Sequence, residues 1–176
     1  MIRPLMNGRR RGGAIREHVL GDDFFTDELT PFLDRTQQTV AATLTRLLAT
    51  SRPGWTVASF PEITAVGVDC VPEVAVLDDD EGLVVVVEVR TDSSDRYALG
   101  VKRLGYEIAG TSEYWFLDPS KRTLSVMSRI SEDERLSWPP VVYDHQNSMV
   151  PEGPLPEVDI MMLLSANRVE RSGSPS

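Results

Sequence analysis

The 176-residue sequence predicts an α/β (α+β) domain, in which flanking helices pack on a mixed β-sheet that contains a strand-helix-strand crossover. The sheet is predicted by two apolar runs, residues 71–77 and 83–87, which flank the acidic turn 78–82 in the manner of a β-hairpin. The crossover is predicted because residues 95–109 have helical character, Gly110 ends that helix, and a further apolar strand follows at 113–118. This order favours a right-handed connection with residues 83–87 buried in the sheet.

The predicted hairpin brings two carboxylates together. With the turn centred near Asp80, antiparallel pairing places Glu73 opposite Glu88 within about one residue of register. Two carboxylates that face each other across a ladder repel, so a cation between them explains the pattern best. Mg²⁺ is the natural candidate, since it binds a few carboxylate oxygens and keeps several waters.

The segment after the hairpin adds basic residues to the same region. Lys102 and Tyr106 are four residues apart and share one helical face. If the helix starts near Asp95, Lys102 lies roughly 10 Å along its axis, from where a lysine side chain can still reach Glu88. Arg90 follows Glu88 on the same face of the strand. Because arginine stays protonated, Arg90 can hold a phosphate but cannot serve as a base.

These motifs resemble the PD-(D/E)XK (restriction-endonuclease-like) superfamily, and within it the bacterial Uma-two family of candidate endonucleases. The motifs that match in order and spacing are Pro72-Glu73, Glu88-Val89, Lys102, Tyr106, Glu113-Tyr114-Trp115 and Asp118-Pro119. The resemblance implies a restriction-endonuclease-like core and a metal-dependent endonuclease that hydrolyses phosphodiester bonds of DNA.

The resemblance also implies roles for individual residues. Glu73, Glu88 and Lys102 would be catalytic, with Mg²⁺ or Mn²⁺ held by Glu73 and Glu88. Lys102 would orient the attacking water or help to deprotonate it, and Arg90 would bind a substrate phosphate. We expect Tyr106 to be a packing and hydrogen-bonding partner that fixes the helix on the sheet. Several nucleases of the superfamily pair to cut two strands, which is compatible with a homodimer.

Three positions depart from the family pattern. Glu73 stands where the family usually has aspartate, Ala98 where an aspartate commonly precedes the lysine by one turn, and Arg90 where the strand usually stays apolar. These departures favour an alternative, a catalytically degenerate nuclease fold that acts as a nucleic-acid-binding or protein-binding module. A third functional class is a structural partner within a larger complex. The alternative interpretation of the site itself is purely structural, with Glu73 and Glu88 only forming ion pairs with Arg90 and Lys102.

Composition narrows the function classes. An apolar content of 41% with 26% charged residues is typical of a globular domain, and we expect one domain over residues 21–164. The net charge of −9 argues against a protein that coats nucleic acid through a broad basic face, although a metal site can neutralise carboxylates locally.

Cys70 is the single cysteine, which excludes an internal disulfide and a zinc cluster, and we expect it to be a small buried hydrophobe. No apolar run approaches the roughly 20 residues of a membrane span, and the N-terminus does not resemble a secretory signal, so we expect a cytoplasmic protein.

The remaining segments carry weaker predictions. Residues 1–20, rich in arginine and glycine, are expected to be a disordered tail or, alternatively, a basic arm that contacts phosphates. Residues 34–50 predict a helix with a core face, residues 55–60, 63–68 and 123–130 predict strands, and residues 165–176 predict a disordered polar tail. Glu28, through the resemblance, and Asp69 are further candidate metal ligands, but a solvated strand end is the simpler interpretation of Asp69.

Overall fold

The computed structural model describes residues 2–4, 15–19, 21–26, 31–65, 68–89, 97–129, 135–137 and 139–164. The strands are β1 (Ile2–Pro4), β2 (Ile15–Val19), β3 (Asp22–Thr26), β4 (Thr56–Ser59), β5 (Pro61–Ala65), β6 (Val68–Cys70), β7 (Val74–Leu77), β8 (Leu83–Val89), β9 (Glu113–Asp118), β10 (Thr123–Ser128), β11 (Val141–Tyr143), β12 (Met149–Val150) and β13 (Val158–Asp159). The helices are α1 (Pro31–Ser51), a π-helix (Tyr97–Lys102), α2 (Arg103–Ile108) and α3 (Ile160–Leu163).

A mixed sheet of six strands forms the centre of the fold, in the order β11-β10-β9-β8-β7-β4. Strands β8 and β9 are parallel, and the other neighbours in this sheet are antiparallel. Every residue of β8 is buried, as its continuous run of leucine and valines predicts for a strand covered on both faces. The predicted mixed sheet and strand-helix-strand connection are therefore confirmed.

The two faces of the central sheet have different neighbours. Val85, Val87 and Val89 of β8 point to one face, which packs against α1 and α3. Val86 points to the other face, towards α2 and a second, five-stranded sheet in the order β1-β5-β6-β2-β3. By strand alternation Glu88 shares the face of Val86, so it lies on the side of α2 rather than that of α1.

The hairpin between β7 and β8 is confirmed together with its register. Val74 pairs with Val87, so Glu73, one residue before β7, lies beside Glu88. The acidic turn is held by Asp78, whose Oδ1 accepts from the backbone N–H groups of Asp80 at 3.0 Å and Gly82 at 2.7 Å. The sequence pattern therefore fixes which residues meet at the end of β8.

Helix α1 confirms the prediction for residues 34–50 and extends it at both ends. Its core-facing residues Val40, Leu44 and Leu48 are buried against the central sheet, as their helical spacing predicts. Among the described helices, none is long and apolar enough to cross a bilayer.

The prediction of a disordered segment at residues 1–20 is wrong for β1 and β2. Strand β1 pairs Ile2 with Ile63, and β2 pairs His18 with Asp69. Strand β1 depends on a partner far along the chain, whereas β2 also forms a hairpin with the adjacent β3, in which Ile15 pairs with Thr26. Such pairing leaves little local pattern in a segment rich in charge and glycine. Residues 5–14 and 165–176 lie outside the described part of the chain.

The predicted helix over residues 95–109 also needs correction. In the described part it begins as a π-helix, and only Arg103–Ile108 is α-helical. Gly110 follows with φ of +91°, the left-handed conformation that favours glycine after a helix. Single π-turns occur frequently at functional sites, and this one ends on Lys102.

Candidate metal and catalytic site

Two donors from the helical segment meet at one oxygen of Glu88. The ammonium of Lys102 lies 2.7 Å from Glu88 Oε1, and the hydroxyl of Tyr106 donates to the same oxygen. Lys102 also donates to the carbonyl of Val71 at 3.4 Å. The side chains of Glu88 and Lys102 are about 95% buried. The predicted reach of Lys102 to the end of β8 is therefore observed.

Glu73 is held on the other side of Glu88. Its Oε2 accepts a hydrogen bond from the backbone N–H of Val89 at 2.9 Å, and its side chain is buried. The Glu73 and Glu88 carboxyls are within hydrogen-bonding reach of each other. The structure thus brings together the three residues that the sequence predicts to be catalytic.

The electrostatics of this cluster are unusual. Burial raises the pKa of Glu88 from 4.5 to about 8, and the adjacent Glu73 carboxyl adds to the increase, whereas the Lys102 ammonium acts in the opposite direction. Two buried carboxylates this close repel each other, and a proton on one of them or a nearby cation reduces that repulsion. Burial and this repulsion together favour the protonated form of Glu88 in the metal-free protein.

The residues fit a divalent metal ion. Glu73 Oε2 and Glu88 Oε1 are each held by protein donors, which leaves Glu73 Oε1 and Glu88 Oε2 as the oxygens available to an ion. No group of three or more His, Cys, Asp or Glu side chains gathers as a metal site within the described ranges. Two protein carboxylates, with waters and substrate oxygens completing the shell, are the set that Mg²⁺ usually takes at phosphate-processing sites.

Gly105 allows the helical segment to approach strand β6 of the second sheet closely. A Cβ on Gly105 would lie 3.1 Å from Val68 Cγ1 and 3.3 Å from Cys70 Sγ, both on strand β6 of the second sheet. The short approach places Lys102 and Tyr106, which flank Gly105 on α2 and the preceding turn, within reach of Glu88. Glycine inside a helical pattern was the one sequence signal for this contact. Cys70 is buried here, as predicted.

Other candidate residues lie elsewhere. Asp69 is exposed on β6, which agrees with its interpretation as a solvated strand residue. Arg90 and Glu28 lie outside the described residues, so their predicted roles stay predictions. The same holds for the proposed ion pair between Glu73 and Arg90.

Sequence reasoning gave no role to Glu113, although it belongs to a family motif. Glu113 is buried at the start of β9, where its Oε2 accepts from Trp115 Nε1 at 2.8 Å and its Oε1 accepts from Ser128 Oγ at 2.9 Å. Burial raises its pKa, and the two donors partly oppose that effect. The backbone groups of Val89 and Val71 that contact the site carry no side-chain signal at all, and only the fold reveals them.

Solved structures show the class of fold. A putative nuclease belonging to DUF820 from Anabaena variabilis ATCC 29413 matches with a TM-score of 0.70 and 15% identity, covering 86% of this chain and 90% of that chain. The type IIG restriction endonuclease BpuSI matches with a TM-score of 0.46 and 13% identity, covering 80% of this chain and 17% of its own. The first match confirms the restriction-endonuclease-like fold that the motifs predict.

The family follows from a separate match. Residues 28–163 match the Uma2 family model, described as "Putative restriction endonuclease". Because the match spans most of the chain and includes Glu73, Glu88 and Lys102, the protein belongs to this family, and the resemblance to the Uma-two family is confirmed. No curated protein matches the sequence.

Proposed function

We propose that this protein is a metal-dependent endonuclease that hydrolyses phosphodiester bonds of DNA, with Mg²⁺ or Mn²⁺ held by Glu73 and Glu88. One observation carries the proposal. In a member of a family of putative restriction endonucleases, a buried carboxyl at the end of β8 lies between a second carboxyl and a lysine ammonium. Buried like charges beside a cation are typical of sites that perform acid-base or metal chemistry.

Each residue of the cluster has a definite task in this proposal. Glu73 and Glu88 would hold the ion through the oxygens that the protein donors leave available, Glu73 Oε1 and Glu88 Oε2. When bound, the ion would polarise the scissile phosphate and lower the pKa of a coordinated water. Lys102 would orient the attacking water and offset negative charge in the transition state, for which a fixed ammonium in a buried site is well suited.

An exposed lysine lies near the C-terminal ends of β8 and β9. Val89 pairs with Leu117 in parallel register, so the turn after β9 begins beside the end of β8 where Glu88 lies. In this turn Lys121 is 66% exposed, and its ammonium is 3.7 Å from Asp118 Oδ2. Lysines at such positions contact backbone phosphates without reading sequence, which supports a nucleic-acid substrate.

One observation favours a second candidate, a nuclease fold that binds DNA or protein without cleaving it. Glu88 is already paired with Lys102, which is the contact that a purely structural interpretation requires. The two candidates differ in what the site residues do. A catalytic centre needs Glu88 and Lys102 for turnover, whereas a binding module keeps its partner when either is replaced.

Cleavage of nucleic acid tests the proposal. We would incubate the protein with supercoiled plasmid, single-stranded DNA and RNA oligonucleotides in Mg²⁺, Mn²⁺ or EDTA, and compare wild type with Glu88→Ala and Lys102→Ala. Glu88→Gln is a second variant that keeps the shape of the side chain. Glu157→Ala and Arg46→Ala remove exposed charges remote from the site and serve as matched controls. Circular dichroism confirms that each variant is folded.

We expect metal-dependent cleavage of DNA by wild type and the controls, and a loss of about 100-fold or more in the site variants. No cleavage by folded wild type in either metal would favour the binding module. Full activity in both Glu88→Ala and Lys102→Ala would show that the catalytic centre lies elsewhere.

A further inference from the structure

The arrangement of donors around Glu88 assigns different roles to its two oxygens. Tyr106 and Lys102 both donate to Oε1. On the neighbouring carboxyl of Glu73, Oε2 is held by the backbone N–H of Val89. These donors restrict the rotation of both carboxyls and leave Glu88 Oε2 and Glu73 Oε1 as the oxygens available to a metal ion.

Tyr106 is better placed than Lys102 to fix this orientation. Its ring is fully buried, and it packs against Tyr114 with ring centroids 5.6 Å apart and planes inclined at 36°. A tyrosine side chain has two rotatable angles and a lysine side chain has four, so fewer contacts are needed to fix the Tyr106 hydroxyl. The close approach at Gly105 anchors the helix immediately before Tyr106.

Lys102 has a competing task under the proposed function. Its ammonium already divides its donors between Glu88 and the carbonyl of Val71, and catalysis asks it to engage water or phosphate as well. If Lys102 alone held Glu88, each engagement with substrate would loosen the metal ligand. A second, rigid donor on the same oxygen removes that conflict.

We infer that Tyr106 is a positioning residue of the metal site, which holds Glu88 by Oε1 so that Oε2 is presented, together with Glu73 Oε1, to the divalent ion. This inference rests on the proposed function and deepens it. Removal of a residue that hydrogen-bonds to a metal ligand, without binding the metal itself, typically changes metal affinity by about 10- to 100-fold. Tyr106 thus contributes to metal binding without touching the ion or the substrate.

The test is Tyr106→Phe, which removes the hydroxyl and keeps the ring against Tyr114. Mn²⁺ binding is measured by calorimetry on wild type and variant, and the metal concentration that gives half-maximal cleavage is measured alongside. Tyr143→Phe removes the hydroxyl of another mostly buried tyrosine, on β11, and is the matched control. Both measurements are made well below the melting temperature of each protein.

We expect Tyr106→Phe to bind Mn²⁺ about 10-fold more weakly and to need correspondingly more metal for cleavage, with the deficit largely corrected at saturating Mn²⁺. Tyr143→Phe should match wild type in both measurements. A purely structural role of Tyr106 would lower the melting temperature without changing metal affinity or the metal requirement, and that result would overturn the inference while leaving the nuclease function intact.

Failure of the proposed function gives a different result. If wild type neither binds Mn²⁺ nor cleaves DNA, no metal site exists for Tyr106 to position, and both proposals are wrong. If wild type binds metal and cleaves DNA but Tyr106→Phe does so equally well at every metal concentration, only the inference about Tyr106 is wrong.

Discussion

Glu88 and Glu113 are buried carboxyls on neighbouring parallel strands, yet their surroundings are opposite in kind. Glu113 pairs in register with Val85, near the start of β8, and its oxygens accept hydrogen bonds from the neutral donors of Trp115 and Ser128. Glu88, at the other end of β8, meets a second carboxyl, an ammonium and a tyrosine hydroxyl. Burial raises the pKa of both residues.

The difference shows that burial alone does not mark a functional carboxyl. Glu113 is satisfied by two neutral donors, so it needs no further ligand and stabilises the junction of β9 with β10. Glu88 lies beside another carboxyl, so its charge is balanced only with the help of a lysine and of a proton or cation. Convergence of charges, rather than desolvation, separates the candidate site from the structural carboxyl.

The largest expected effect contrasts the two residues directly. Glu88→Gln replaces the carboxyl that is proposed to bind the metal by a neutral amide, so Mn²⁺ affinity should fall by about 100-fold or more. Glu113→Gln is the matched change on the neighbouring strand and should leave Mn²⁺ affinity within about two-fold of wild type. Calorimetric titration of both variants measures their Mn²⁺ affinities. Equal losses of affinity would show that Glu88 is no more important for metal binding than Glu113.

Substitution of Glu113 should affect the stability of the protein. Glu113→Ala leaves the buried Trp115 Nε1 and the half-buried Ser128 Oγ without their acceptor, so the free energy of unfolding should fall by about 2–4 kcal/mol. Glu113→Gln retains a carbonyl acceptor and should cost less, about 1 kcal/mol. Urea denaturation of the three proteins measures these values. An unchanged midpoint in Glu113→Ala would show that the carboxyl does not stabilise this junction.

The raised pKa of Glu88 makes the stability of the metal-free protein depend on pH. Because the pKa of Glu88 is raised from 4.5 to about 8 by folding, the folded protein binds more protons than the unfolded chain between these values. The contribution of Glu88 to the stability of the metal-free protein is therefore fully present below about pH 4.5 and is lost as the pH rises towards about 8.

We expect the melting temperature in EDTA to fall by a few degrees between pH 5 and pH 8, and to fall less in Glu88→Gln. Saturating Mn²⁺ should reduce or reverse the slope, because the ion replaces the proton between the carboxyls. Parallel slopes in wild type and Glu88→Gln would contradict the raised pKa of Glu88.

The smallest expected effect comes from Gly105→Ala. The added methyl would meet Val68 and Cys70 at 3.1 and 3.3 Å, so the helix should shift by a few tenths of an ångström. We expect a loss of about 1 kcal/mol in stability and a few-fold loss in Mn²⁺ affinity, since Lys102 and Tyr106 move with the helix. Gly100→Ala, where the added methyl meets no neighbouring atom, is the control. Equal metal affinity in both variants would show that this close approach is not needed by the site.

The sequence predicts the centre of the fold better than its periphery. The continuous apolar run of β8, the acidic turn and the position of Glu73 are local patterns, and they were sufficient to predict the hairpin and the meeting of Glu73 with Glu88. The spacing of Lys102 and Tyr106 likewise predicted that both share one face, and both contact Glu88.

What the sequence does not show depends on distant partners and on backbone geometry. Strands β1 and β2 are short; β1 pairs with β5 far along the chain, and β2 pairs with the distant β6 as well as with the adjacent β3. The π-turn before Lys102 has no distinctive residue pattern, and the Val89 N–H that holds Glu73 has no side-chain signal. The division of roles between the two oxygens of Glu88 appears only when the donors are placed in three dimensions.

The most direct test of the account is the location of Mn²⁺ in crystals of the protein, measured by anomalous scattering. We predict one peak between Glu73 and Glu88, within about 2.0–2.6 Å of an oxygen of each, with Tyr106 and Lys102 still on Oε1 of Glu88. A peak at another place, or none at a saturating concentration of Mn²⁺, would contradict the claim that these two carboxyls form a metal centre.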